Sequence, residues 1–284
     1  MRILVTGQRG GIGAVVAAQL GRSGHDVVGF DIADGQDLLD SGAVRAAAAG
    51  CAAVVHLGAL AHDTAGSPEQ IMAVNVLGTW HVLLAAEATG AGRVIHFSSA
   101  QVFGTAEGER LPDYLPMDDA HPRRAMRPYG LSKCLAEDLC AAFSARTGIA
   151  SLSLRPVWVL LPDMYEQIRA RWRADPRSEW EPYWECGGYV DVRDVAAATE
   201  LAVTVPLTGH HRALLCAADI AATAPGLDLA ARIAPAVPVR DRERYRDDPW
   251  RALIDSSVAT AVLGWRARYQ WPDRIVPGSA SQPG

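Results

Sequence analysis

Apolar positions along this 284-residue chain fall in short blocks separated by helical stretches. RILVT (2–6) is a β-branched run that suits a strand buried on both faces. AVVAAQLGRSG then carries small apolar residues at helical spacing and ends near Gly21 to Gly24. DVVGFD, ending in Asp31, predicts a second strand, and CAAVVHLGA (51–59) a third. Ser67-Pro68-Glu69 opens a helix with an N-cap, a first-turn proline and an acid. That helix runs to about Ala88 and stops near Gly90. RVIHFSS (93–99) is a fourth strand, Pro128 starts a helix through about Arg146, and IASLSLRP (149–156) is a fifth strand. Strands alternating with helices predict an α/β fold with a doubly wound parallel sheet, whose ligands sit beyond the carboxyl ends of the strands.

From Val157 the alternation loosens. DVRDVAAATELAVTV (191–205) reads as a helix, ALLCAA (213–218) as a strand, and 256–263 as a helix before Gly264. The expected organisation is a dinucleotide-binding domain over 1–156, a small substrate lobe with returning sheet elements over 157–275, and a disordered tail over 276–284. The charged, proline-bearing stretch 104–127 is a candidate lid.

Between the first strand and its helix lies TGQRGGIG (6–13). Gly7 permits a tight turn, Gly10 lets backbone approach a pyrophosphate, and Gly13 lets the helix pack closely on the strand. Gln8, Arg9, Gly11 and Ile12 complete the turn and join the candidate cofactor contacts. The helix N-terminus favours phosphate. Strand, glycine turn, helix and a second strand ending in an acid form a dinucleotide-binding unit of Rossmann type. Asp31 stands where a carboxylate accepts from the adenosine ribose hydroxyls, which favours NAD. NADP is the alternative, because Arg9 could meet a 2′-phosphate as a planar donor fork.

Net charge is -5, so no basic surplus points to nucleic acid. Five cysteines without a C-x-x-C pair fit reduced thiols in a cytoplasmic protein. The first strand starts at residue 2, which leaves no signal peptide, and no charge-free apolar stretch reads as long enough to span a membrane.

Tyr129 and Lys133 stand one helical turn apart in YGLSK, and Ser99 closes the fourth strand. A free tyrosine ionises near 10. A lysine on the same helix face is expected to stabilise the phenolate and bring the phenol into range for proton transfer. Lys133 could also bond the nicotinamide ribose, and Ser99 would hold a substrate oxygen against Tyr129. An ordinary surface pair is the bland alternative; the glycine turn upstream favours catalysis. No metal site is read from the sequence.

These motifs together resemble an extended short-chain dehydrogenase/reductase, the NAD-dependent epimerase/dehydratase family. The residues that carry the resemblance are TGQRGGIG, Asp31, Asp37-Leu38, HLGA (56–59), NVLGT (75–79), SSAQVFG (98–104), YGLSK, LRP (154–156), YVDVRDVA (189–196) and VLGW (262–265). The resemblance implies that Asp37 and Leu38 contact adenine. It also implies that Leu57, Gly58, Ala59, Asn75 and Pro156 line the cofactor, and that the helices at 68–88 and 128–146 pair across a homodimer, although an apolar helix face is equally plain core.

Departures narrow the chemistry. Ala100 and Gln101 follow Ser99, where sugar-nucleotide dehydratases of the family carry an Asp-Glu pair. Trp158 replaces the asparagine that holds nucleotide sugars. Trp158, Trp172, Trp180, Tyr183 and Trp184 instead offer stacking area, or lobe packing. Gln101, Trp158 and His62 join Ser99 as candidate substrate contacts, although His62 also reads as a solvated loop residue. The implied function is an NAD(P)-dependent ketoreductase or alcohol dehydrogenase acting on a bulky natural-product or sugar-like molecule. YGLSKCLAEDL also resembles the uronate dehydrogenases of the family. Alternatives are a sugar 4-epimerase with retained NAD and a non-catalytic NAD(P)-sensing regulator.

Overall fold

The computed structural model describes residues 1–105, 110–175 and 187–272. Six parallel strands form one sheet in the order β2-β1-β3-β4-β5-β8. They are β1 (Arg2–Thr6), β2 (Asp26–Phe30), β3 (Ala53–His56), β4 (Arg93–Phe97), β5 (Ala150–Pro156) and β8 (His210–Leu215). Successive residues of the central strands feed opposite faces. Ile3, Val5, Ala53, Val55 and Ile95 enter one core cluster, whereas Leu4, Val54 and Val94 enter the other. Burial on both faces explains why these strands read as unbroken apolar runs.

On the first face α1 (Gly11–Arg22) packs against α7 (Val192–Thr204). On the second, α2 (Ser41–Ala48) packs on α4 (Gly78–Thr89), and α4 on α5 (Pro128–Thr147). α3 (Pro68–Met72) joins α4 through a π-helical turn at Ala73–Leu77, so 68–89 is one continuous rod. Ser67 and Gln70 close a capping box at its start.

That rod has a mean hydropathy of 1.4 and carries Glu69 and Glu87 near its two ends. Its apolar residues serve the core: Ile71, Val82, Leu83, Ala85 and Ala86 are buried in the body.

The strand ends differ from expectation in a consistent way. β3 and β4 stop at His56 and Phe97, and each next residue still donates one bond to the neighbouring strand, Leu57 N to Thr6 O at 3.1 Å and Ser98 N to Leu154 O at 2.8 Å. β8 starts earlier than expected, at His210, because an edge strand tolerates the half-buried His210-His211-Arg212. The short pair β6 (Trp158–Leu160) and β7 (Tyr189–Asp191) was not legible at three residues each. α6 (Met164–Ala174), α8 (Gly226–Ile233) and α9 (Ser257–Leu263) complete the C-terminal half. That half is interleaved with the first, since it supplies both β8 and α7.

The stretch 111–127 does not behave as a free lid. Leu115 and Met117 are fully buried. Leu115 N donates to Pro238 O at 2.9 Å and Met117 N to Leu253 O at 2.9 Å, which stitches the stretch into the C-terminal lobe. Tyr165, Tyr189 and Trp271 build the lobe's own core, and Trp172 stacks 5.2 Å from Trp271 as part of that packing. Trp180, Tyr183, Trp184 and the 276–284 tail lie outside the described residues.

Candidate active site

One cavity of about 740 Å³ opens along the carboxyl ends of the strands and contains both halves of the expected chemistry. Gly7, Gly10, Gly11, Ile12 and Gly13 form its floor. Gly7 has φ +73°, and a Cβ there would stand 2.7 Å from Gly58 N. A Cβ on Gly13 would stand 2.0 Å from Gly7 O, so helix and turn meet only through glycine. At Gly10 a Cβ would meet only Gly7 O, at 3.4 Å, leaving room for a phosphate. α1 opens at Gly10 without a side-chain cap, which suits an anion as acceptor for its first N–H groups. The floor therefore fits a dinucleotide pyrophosphate.

Asp31 lies on the wall, 8% exposed. Its Oδ2 accepts from Arg9 N at 2.8 Å and its Oδ1 from Ala33 N at 2.9 Å, fixing the carboxylate toward the cavity rim. Asp37, Leu38, Leu57, Gly58 and Ala59 also line it. Gln36, which the sequence reading missed, lies beside them and accepts from Asp31 N at 3.0 Å.

Three expected cofactor contacts stand elsewhere. Gln8 lies across Gly29, where a Cβ would collide with its amide at 1.9 Å. Arg9 turns outward, its Nε 3.7 Å from Asp34, so the fork offered to a 2′-phosphate is engaged at the surface. Asn75 is buried behind the wall, where it accepts from Leu60 N at 2.8 Å and donates to Leu60 O and to Ser132 Oγ, both at 3.0 Å. Its amide holds the loop after β3, and the π turn provides the room to aim it.

At the other end Ser98, Ser99, Gln101, Tyr129, Lys133, Pro156 and Trp158 line the same cavity. Ser99 stands near enough to the Tyr129 phenol to favour its ionised form. Ser99 Oγ also accepts from Gln101 N at 3.2 Å. Lys133 Nζ donates to Phe97 O at 2.8 Å and stands 5.6 Å from the Tyr129 ring centre. His62 is exposed, its ring against Thr64 Oγ1 at 2.9 Å, and is not among the wall residues.

The electrostatics reverse one expectation. Burial pushes Tyr129 up to about 12; Ser99 opposes this and the Asp63 charge adds to it. Burial brings Lys133 down to about 8, against opposing effects from Cys140 and Glu137. Burial dominates the phenol, and the Lys133 ammonium points to a carbonyl rather than to the hydroxyl. Below the site, His56 is held neutral by burial, down to about 3, between Thr6 Oγ1 and Thr79 Oγ1 at 2.7 and 3.0 Å.

Glu137 is the main residue missed, although it stands on the same helical stripe as Tyr129 and Lys133. Fully buried, it accepts from Ser98 Oγ at 2.7 Å, Arg155 Nε at 2.7 Å and Arg155 Nη2 at 2.8 Å. This ties the strand end before Ser99 to the helix that carries Tyr129. The other carboxylate on Arg155, Asp119, has one longer bond at 3.2 Å, and burial pushes it up to about 6. Among the described residues no cluster of His, Cys, Asp and Glu has the makings of a metal site.

A glycine cradle, a buried acid at the end of β2 and a Ser/Tyr/Lys set in one cleft define a dinucleotide-binding protein of the short-chain dehydrogenase/reductase type. The family model described as "NAD dependent epimerase/dehydratase family" matches residues 3–215, and the chain belongs to that family. It is 34% identical to a uronate dehydrogenase of Pseudomonas putida over 168 residues, 54% of this chain and 59% of that protein. It is 32% identical to a 2-alkyl-3-oxoalkanoate reductase of Stenotrophomonas maltophilia over 189 residues, 60% of this chain and 56% of that one. The chain thus spans little more than half the length of these curated relatives. A short-chain dehydrogenase/reductase superfamily protein of Agrobacterium tumefaciens, solved with NAD, shares the fold at a TM-score of 0.72 and 24% identity, covering 95% of this chain and 94% of that one.

Proposed function

We propose that the protein is an NAD-dependent oxidoreductase that transfers hydride at a carbonyl or carbinol carbon of a bulky small-molecule substrate. The observation that carries this is that Ser99, Tyr129 and Lys133 line the same cavity as the glycine floor and Asp31. Bound NAD supplies the hydride donor or acceptor. The chain's own part is to hold a substrate oxygen between two hydroxyls and exchange its proton with Tyr129. Lys133, anchored on Phe97 O, keeps an ammonium beside the phenol.

The walls favour a substrate with an apolar body. Leu60, Ala61, Trp158, Val159 and Met164 line the cavity, and its charged wall residues among the described ones are Asp31, Asp37 and Lys133. Arg155, close by at the end of β5, is engaged by Glu137 and Asp119. A sugar acid is the second reading, favoured by the 34% identity to a uronate dehydrogenase. The four described cysteines are free thiols, in keeping with a cytoplasmic enzyme.

Cofactor choice tests the reading directly. Isothermal titration is expected to show NAD binding at least about tenfold tighter than NADP, because Asp31 accepts from ribose hydroxyls and repels a 2′-phosphate. Asp31→Asn narrows the gap to a few-fold. Equal affinity of the native protein for both dinucleotides removes Asp31 from the argument.

The same reading includes a homodimer. Leu77 and Leu84 on the 68–89 rod and Leu131 and Leu135 on α5 are 38–45% exposed on adjacent helices. Four exposed leucines on neighbouring helices suit a helical interface between two copies. Sedimentation velocity at micromolar concentration is expected to give a dimer, and Leu77→Glu with Leu135→Glu a monomer. A monomeric native protein rejects the interface.

A further inference from the structure

We propose that Asp63 is a positioning residue for Tyr129, its carboxylate clamping the tyrosine backbone and fixing the wall after β3 in register with the reacting hydroxyl. The inference rests on the reading of Tyr129 as the proton-transfer group. Asp63 Oδ1 accepts from Tyr129 N at 2.7 Å, across 66 positions of sequence. The start of α5 leaves this donor in need of a partner. Its N-cap, Arg127, makes no side-chain cap, and Pro128 at the first position has no N–H. Tyr129 therefore carries the first N–H of the helix, and an acid from another segment satisfies it. A negative charge there also complements the dipole of a 20-residue helix.

The wall itself is pinned at two points. Asn75 takes both backbone polar groups of Leu60, and Asp63 takes Tyr129 N three residues later. Leu57 to Ala61 lie on the cavity between and before these anchors. Movement of that wall is thereby coupled to the phenol. His62 faces outward against Thr64, and Ala65 N closes the turn on His62 O at 3.0 Å, leaving Asp63 as the inward group of the loop.

Asp63 acts on the hydroxyl as well as the backbone. The charged groups around the phenol are Asp63 from this loop and Lys133 from its own helix, with Ser99 beside it after the end of β4. The Asp63 charge adds to burial, the larger effect, in disfavouring phenolate.

Asp63→Asn and Asp63→Ala separate the two effects without a substrate. Hydrogen exchange of the 128–133 segment and titration of ¹³Cζ-labelled tyrosine, with Tyr129→Phe assigning the resonance, are the readouts. Asparagine keeps an acceptor oxygen, so exchange stays at the native rate. Alanine accelerates it about tenfold. Both variants lose the charge, and the Tyr129 midpoint falls by about half a pH unit or more, which raises the ionised fraction near pH 11 about threefold. Native exchange in Asp63→Ala overturns the clamp. Accelerated exchange with an unmoved midpoint reduces Asp63 to a helix cap and overturns the proposal. The role of Tyr129 in turnover stands or falls separately, on Tyr129→Phe kinetics.

Discussion

Tyr129→Phe lowers kcat by about 10²- to 10⁴-fold while the dissociation constant for NAD stays within about twofold. The substitution removes one oxygen from a ring that is 8% exposed and leaves the surrounding packing in place. Proton exchange with the substrate oxygen then loses its donor, while Ser99 keeps its bond from Gln101 N. The pH profile of the native enzyme carries a sign. A phenol pushed up to about 12 by burial is protonated throughout the neutral range. Reduction of a ketone is therefore expected to be flat in pH on account of this group, whereas alcohol oxidation rises with pH. Turnover of Tyr129→Phe at the native rate removes the tyrosine from the mechanism.

Glu137→Ala destabilises the fold by about 3–5 kcal/mol, which for a chain of this size lowers Tm by about 10 °C. The cost comes from the charges left behind. Arg155, 1% exposed, keeps only Asp119 at 3.2 Å, and Arg212 Nε loses the carboxylate oxygen 3.0 Å away. Burial by itself would raise the Glu137 carboxyl, but Arg155, Ser98 and Arg212 hold it below the ordinary 4.5. A depressed carboxylate stabilises the fold above its unfolded value and loses that contribution as pH falls through the folded one. The gap between native and variant proteins is thus widest at neutral pH and closes below about pH 4.5. Asp119, raised to about 6 chiefly by burial, works in the opposite sense, and loss of the Glu137 charge lowers it in the variant. Equal melting temperatures at pH 7 in calorimetry would show that Arg155 finds another partner.

The parallel sheet, the glycine floor and the Ser/Tyr/Lys set were legible because each depends on local pattern. β1 and α1 follow from apolar spacing, and Gly7 and Gly13 have no alternative residue at their contacts. Contacts across long separations were not legible. Arg9 and Gln8 sit inside the motif, yet their side chains follow Asp34 and Gly29, which the motif does not specify. Asp63 gave no local signal, since its partner is a backbone N–H on a helix 66 positions away. Asn75 was assigned to the wall and stands behind it, because its π turn offsets the helical register. The phenol's ionisation was misjudged for a related reason. Helical spacing places Lys133 near Tyr129 but says nothing of how deeply both are buried.

The stitching of 111–127 to the C-terminal lobe bears on how specificity evolves in this architecture. Leu115 and Met117 are fully buried, and each bonds backbone more than 120 positions away. Exchange of the lobe alone between homologues strands these two side chains, so a chimera intended to acquire a new substrate range must carry both segments together. Recombination at a single crossover within the C-terminal half separates them, whereas successive point changes along Trp158–Met164 leave the joint intact.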